Sequence, residues 1–205
     1  MRRSVFAVLA TSVITLTSAC ALAYSAPSTS LKGVESGTYE IDAAHTSVQF
    51  GISHMGYSNY QGRFNTASGT LNFDAAAPEK SALTVTVTTD SINTNNAKLE
   101  GELKGDQWFD SAKFPTLTFV SSSVQKLTDT TGKVSGDLTM HGVTKPVTLD
   151  VTFNGGGMNP LANVAELGFS ARGSIKRSDF GISQYIPMVG DEVAISIETE
   201  MHLKK

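Results

Sequence analysis

Leu83-Thr84-Val85-Thr86-Val87-Thr88 alternates apolar and hydroxyl side chains without a break. Successive side chains of a strand point to opposite faces, so Leu83, Val85 and Val87 share one face and Thr84, Thr86 and Thr88 the other. The pattern recurs outward in both directions. Val48, Phe50 and Ile52 repeat it upstream; Val147, Leu149, Val151 and Phe153 repeat it downstream, as do Val193, Ile195 and Ile197 against Ser196 and Glu198.

Abundant Thr, Ser and Val, with 18 Gly to supply turns, extend this reading to the whole chain. Strands are expected at about Tyr39 to Met55, Gln61 to Asp74, Ala82 to Asn93, Thr116 to Lys126, Lys133 to His141, Thr144 to Asn154, Ala165 to Ile175 and Glu192 to Leu203. Each has one apolar and one polar face. Eight such antiparallel strands bury their apolar side by closing into a barrel, which also removes the edges of an open sheet. A two-sheet sandwich is the competing solution. One segment departs from the period: Asn95 to Lys104 sets Leu99 and Leu103 four apart and Glu100 with Lys104 as an i,i+4 pair. A short helix is expected there, between strands three and four, closed by Trp108-Phe109 and capping one mouth of the barrel. The expected fold class is therefore all-β, an extended eight-stranded antiparallel barrel with one short helix.

At 205 residues, 40% hydrophobic and 17% charged, the chain is sized for one globular domain, and no internal repeat divides it. Its formal charge of −3 gives no basic footprint, so nucleic acid is not an expected partner. Arg2 and Arg3 precede an apolar run from Val5 to Leu16 and small residues up to Ala23, which reads as a signal peptide over residues 1–23. The run is short for a bilayer core of roughly 30 Å. A periplasmic or secreted protein follows. Cys20, the only cysteine, sits in Leu16-Thr17-Ser18-Ala19-Cys20, a lipoprotein-like box with its leucine one place too far upstream, so anchoring through Cys20 is the weaker reading. Residues 24–37, rich in Ser, Thr, Pro and Gly, read as a flexible lead-in, with the folded domain spanning 38–205.

Chemistry-bearing motifs are sparse. His45, His54, His141 and His202 form no H-x-x-x-H or H-E-x-x-H pair, and His45 and His54 should face opposite sides of one strand, so no metal site is expected. There is no G-x-S-x-G turn for a nucleophile, and Gly155-Gly156-Gly157 reads as a hairpin loop rather than a phosphate cradle. The pairs Asp191-Glu192 and Glu198 with Glu200 read as solvated positions. No catalytic residues and no cofactor are expected. What remains is an apolar interior supplied with Phe50, Phe64, Phe73, Phe119, Phe153 and Phe169, and a small barrel either fills such an interior or holds one ligand in it. Composition alone favours an ordinary filled core.

A resemblance shifts that balance. Tyr39-Glu40-Ile41-Asp42, His45-Thr46-Ser47-Val48-Gln49-Phe50, His54-Met55-Gly56 and Gly62-Arg63-Phe64 are followed by Ser91-Ile92-Asn93-Thr94, Trp108-Phe109-Asp110 and Phe114-Pro115. The most specific piece is Gly136-Asp137-Leu138-Thr139-Met140-His141-Gly142-Val143-Thr144-Lys145-Pro146-Val147. Arg177-Ser178-Asp179-Phe180-Gly181 and Val189-Gly190-Asp191-Glu192-Val193 support it. In order and spacing the chain resembles the YceI-like family of secreted, lipocalin-like polyisoprenoid-binding proteins, from Tyr39 to Leu203. It departs at Ala97-Lys98-Leu99-Glu100, where the family commonly carries an Arg-Asp pair before the leucine.

The resemblance implies binding rather than catalysis: an exported barrel that sequesters or carries an isoprenoid-tailed lipid, such as a ubiquinone or a prenyl phosphate, or a fatty amphiphile. Transient membrane contact is compatible with that role, and the oligomeric state stays open, a dimer included. Alternation then lines the lipid pocket with Phe50, Ile52, Phe64, Val85, Leu138, Met140 and Phe169, joined by Leu99, Leu103, Trp108 and Phe109 from the helix and its closing turn. Lys104 and Arg177 are the candidate headgroup contacts. Gly142 to Pro146 reads as a tight hairpin and Asp179-Phe180-Gly181 as a turn or bulge. Two other readings stand beside this one. The first is a ligand-free filled barrel acting as a stress-related interaction module, and the second an enzyme acting on a lipid head, for which no acid, base or nucleophile set is recognisable.

Overall fold

Every alternating segment forms a strand, and several of the strands are bent. The structure, a computed structural model, describes residues 25–205; the signal-peptide reading and the Cys20 box lie outside the described residues. In chain order the strands are β1 (Gly37–Ile41), β2 (Ser47–His54), β3 (Ser58–Phe64), β4 (Ala67–Phe73), β5 (Ala82–Thr88) and β6 (Ile92–Asn93), then β7 (Thr116–Lys126), β8 (Thr131–Met140), β9 (Val143–Asn159), β10 (Val164–Lys176) and β11 (Val189–Leu203). A helix, α1 (Ala97–Leu103), separates β6 from β7.

These eleven strands follow eight lanes. β1 and β2 both lie against β11, at Tyr39↔Leu203 to Ile41↔Met201 and at Val48↔Ile197 to Ile52↔Val193, so they are halves of one strand. The break is the 3-10 turn Ala43–His45, which Asp42 caps by accepting the Ala44 N–H at 2.9 Å. β1 pairs with β4 and β2 with β3, while β4 pairs with β5 and β3 with β6, which makes β3–β4 and β5–β6 bent strands as well. The order then runs β5-β7-β8-β9-β10-β11 and returns to β1, antiparallel throughout. The β1–β11 pairing closes the eight-stranded barrel and excludes the sandwich.

Among the described residues the ring is unpaired at one place, between β6 and β7. There residues 94–115 leave the sheet, and Leu99, Leu103, Trp108 and Phe109 pack against Phe64, Ile92, Met140 and Phe180. A second core cluster sits at the other end, around Tyr39, Leu71, Phe73, Phe153, Leu167 and Met201.

Three local expectations are corrected. The tight turn of the most specific motif is His141-Gly142, both at positive φ (52° and 75°), so the β8–β9 hairpin is the two-residue primed type and Val143 to Pro146 already belong to β9. Gly155-Gly156-Gly157 is not a hairpin loop but part of β9, next to a bulge in which Asn154 is the extra residue against Gly168 and Phe169. Over its described part the lead-in is docked on the barrel rather than running free. Ser28 and Gly156 exchange backbone hydrogen bonds of 3.0 and 2.9 Å, Leu31 and Val34 pack on the second cluster, and the Tyr39 hydroxyl donates to the Glu35 carbonyl at 2.7 Å. The glycines explain this seat: a Cβ at position 155 would stand 2.9 Å from Pro27.

Candidate functional site

Inward alternation leaves space along the barrel axis. A cavity of about 820 Å³ is lined from both core clusters and from nearly every strand, a volume in the range of small-molecule sites. Phe50, Ile52, Phe64, Val85, Leu99, Leu103, Trp108, Phe109, Leu138, Met140 and Phe169 all line it. Phe64, Leu103, Trp108 and Met140 are buried, and the others are half-buried. Aromatic edges interlock at each end. Phe64 lies 5.9 Å from Phe50 and 5.5 Å from Phe109 between centroids, and Phe169 lies 6.4 Å from Phe73 and 5.5 Å from Phe153. Polar lining groups gather at the extremities, with His54, Tyr60, Asn96, Lys98 and Glu102 at the helix end and Lys126, Thr128, Asp129 and Lys133 by the β7–β8 loop.

Short as it is, α1 is well capped. The Asn96 side chain accepts the Leu99 N–H at 3.2 Å, and Glu100 turns back to accept the Thr94 N–H at 2.8 Å and that of Asn96 at 3.3 Å. The Thr94 bond, more than any other influence, holds the Glu100 carboxyl below its ordinary pKa. Glu100 is thus used at the cap, and the expected partner Lys104 pairs instead with Asp90 at 3.1 Å.

The two headgroup candidates are placed differently from expectation. Lys104 does not line the cavity. With about 3.6 residues per turn, Lys98, Leu99, Glu102 and Leu103 form one contiguous face, and Lys104 falls on the next flank. Lys98 is the cation of α1 that borders the cavity; the expectation missed it, although the helical wheel carried the signal.

Arg177 does line the cavity, but at 4% exposure its guanidinium is committed to the backbone. Nε donates to Gly190 O at 2.8 Å, Nη1 to Ile182 O at 3.1 Å, and Nη2 to Gln184 O and Val189 O at 2.8 and 2.9 Å. Burial lowers its pKa from the ordinary guanidinium value, opposed by the nearby Asp191 charge. Asp191 accepts the Ser178 N–H and hydroxyl at 2.9 and 2.8 Å, and these bonds, the backbone one foremost, draw its own pKa down. The motifs beginning at Arg177 and Val189 are therefore the two sides of one loop clasp, finished by Gly181 in the left-handed conformation at φ 79°.

A family model described as the YceI-like domain matches residues 39–201. The chain belongs to the YceI-like family. A relative named "UPF0312 protein" from Pseudomonas savastanoi pv. phaseolicola is 42% identical over 146 residues, which are 70% of this chain and 76% of that one. Among solved structures, Burkholderia cenocepacia BcnA superposes with a TM-score of 0.71 at 26% identity, over 78% of this chain and 98% of that one. A structure described as a polyisoprenoid binding domain from Saccharophagus degradans, implicated in plant cell wall breakdown, shares the fold with a TM-score of 0.60 at 16% identity, over 83% of this chain and all of the other. The YceI-like barrel thus accounts for the closed ring and the inserted helix.

Proposed function

We propose that the protein is an exported carrier or sequestering protein that takes the tail of an isoprenoid lipid, quinone-like or prenyl phosphate, or of a similar fatty amphiphile, into the barrel. One observation carries this reading: the apolar cavity of about 820 Å³, continuous between the two aromatic clusters. Tail burial is favourable by about 0.8 kcal/mol per CH₂, so a long chain needs few polar contacts and the head stays near a mouth. Membership of the YceI-like family, and a fold shared with a polyisoprenoid binding domain, support a tail of this class. The Arg2-Arg3 and apolar N-terminal pattern supports export.

Met55 and Tyr57, between β2 and β3, and Tyr185, Ile186 and Met188, in the loop clasped by Arg177, are exposed large apolar side chains at the helix end. The two loops are tied by the Met55 N–H donating to Met188 O at 2.7 Å. An apolar rim at the mouth favours brief seating on a bilayer, from which a tail is taken up without crossing water.

Native and denaturing mass spectra of the protein purified from its own compartment, with organic extraction of anything released, test this directly. A stoichiometric added mass matching a quinone, a prenyl phosphate or a fatty amphiphile is the expected result. An apo mass, with no thermal shift on adding such lipids, overturns the proposal in favour of a ligand-free interaction module.

A further inference from the structure

On the outer wall of the barrel, behind the inward-facing Ile41 and Met201, five metal-ligating side chains converge from three elements of the ring. Asp42 follows β1, His45 ends the 3-10 turn, Glu166 lies on β10, and Glu200 and His202 lie on β11. The backbone fixes this meeting. Glu166 pairs directly with His202 and Gly168 with Glu200, and the Asp42 N–H donates to Glu200 O at 2.9 Å. His45 Nδ1 stands 2.6 Å from Asp42 Oδ2 and 3.8 Å from Glu200 Oε2, and His202 Nε2 stands 3.5 Å from the same Asp42 oxygen and 3.3 Å from Glu166 Oε2. The donor atoms of Asp42, His45 and Glu200 all lie within 4.8 Å of one another.

One further observation points to a cation. Asp42 and Glu166 have side chains only 14% and 16% exposed, yet among the described residues the ion-pairing partners of these two and of Glu200 are the histidines His45 and His202, never a lysine or arginine. Ligand atoms on a tetrahedral ion with bonds of about 2.1 Å are about 3.4 Å apart; His45 Nδ1 stands 3.8 Å from Glu200 Oε2, and its 2.6 Å hydrogen bond to Asp42 Oδ2 opens for both to reach one ion.

We infer that this cluster binds one divalent transition-metal ion, zinc being the best match to its imidazole and carboxylate donors, through His45 Nδ1, Asp42 Oδ2 and Glu200 Oε2, with His202 alongside on Asp42 and Glu166. Glu166 is the adjacent carboxylate, held by the Asn159 amide. The ion clamps the break between β1 and β2 onto β11, leaving the cavity untouched. The site is independent of the lipid reading.

The test is calorimetric titration of the chelator-stripped protein with zinc chloride, repeated in two buffers of different ionisation enthalpy, and anomalous diffraction at the zinc edge. One ion per chain is expected, binding with proton release and giving an anomalous peak among Asp42, His45 and Glu200. His45→Ala and Glu200→Gln should each weaken binding by a factor on the order of ten or more. Circular dichroism and uptake of a polyprenyl probe show whether each variant keeps its barrel; if Glu200→Gln does not, His45→Ala, the more exposed position, carries the test. An absence of binding to the folded protein, binding unchanged in a folded variant, or a peak at His54 or His141 instead would overturn the inference.

Discussion

The Arg177 guanidinium stands 5.3 Å from the centre of the Trp108 ring and donates to four backbone carbonyls, two in the loop between the last two strands and two at the start of β11. One buried cation thus holds that loop and fixes the indole beside the cavity. Arg177→Lys keeps the charge but loses the planar fork, leaving carbonyls unpaired in a buried site. A loss of about 3 kcal/mol is expected, read as a lower urea midpoint with unchanged slope. An unaltered midpoint would show that the clasp does not depend on the guanidinium.

Leu138 faces the cavity from β8, paired with Phe119 and Lys145. Leu138→Arg places a cation without a partner in an apolar channel, at a cost of several kcal/mol when the channel is filled by a tail. Binding of a polyprenyl probe, followed by thermal shift, should disappear, whereas Leu138→Met should keep it. Retained binding in a folded Leu138→Arg protein would remove Leu138 from the lipid-contacting wall.

Gly62 lies directly across from Phe50, whose ring covers it; a Cβ at that position would come within 2.9 Å of Cε1, and closer still to Cζ. Gly62→Val must drive the ring into the cavity, with about 1–3 kcal/mol of lost stability. The longest tail accepted should shorten, measured by competing prenyl chains of graded length. An unchanged length limit would mean that the channel does not run past Phe50.

Glu100 supplies a pH dependence. Its carboxyl is held below the ordinary value of 4.5 chiefly by the Thr94 N–H, so the cap's contribution is fully present above that value and is lost as pH falls through the lowered folded pKa. Protection of the Thr94 and Asn96 amides, corrected for the intrinsic pH dependence of exchange, should therefore fall under acid, and Glu100→Gln should flatten that dependence. Equal acid sensitivity in the variant would assign the opening to another group.

The barrel was legible because alternation survives bending: Val48, Phe50 and Ile52 keep their face although the strand breaks at Ala43–His45. Phe50, Ile52, Phe64, Val85, Leu138, Met140 and Phe169 border the cavity for the same reason, and Leu99, Leu103, Trp108 and Phe109 border it from the helix and its closing turn. What alternation does not carry is where a polar side chain spends its hydrogen bonds. Arg177 looks like a free cation in sequence, and only the fold brings Gly190 and Gln184 to it. Leu31 and Val34, three apart among polar residues, give too little periodicity to reveal that they dock on the barrel. His45 and His202 are separated by most of the domain, so a search for closely spaced histidines passes over a cluster that three strands assemble.

Headgroup choice is the last consequence of the geometry. Lys98 borders the cavity at its helix end, and among the described residues no carboxylate is paired with it. It shares the lining with Glu102, so the mouth offers one cation beside one anion rather than a dedicated phosphate clamp. An exposed ion pair contributes about 0.2–1 kcal/mol, which limits the preference for a prenyl phosphate over a neutral prenol to roughly fivefold. Lys98→Glu should erase that preference, leave neutral-lipid affinity unchanged, and have its largest effect at low salt, where charges about 10 Å apart are still felt. Lys104→Glu, on the flank of the helix beside Asp90, should leave the preference in place. Titrating both variants with the two lipids at two ionic strengths separates the positions: a preference that survives Lys98→Glu and fails with Lys104→Glu would return the headgroup to the outer side of α1.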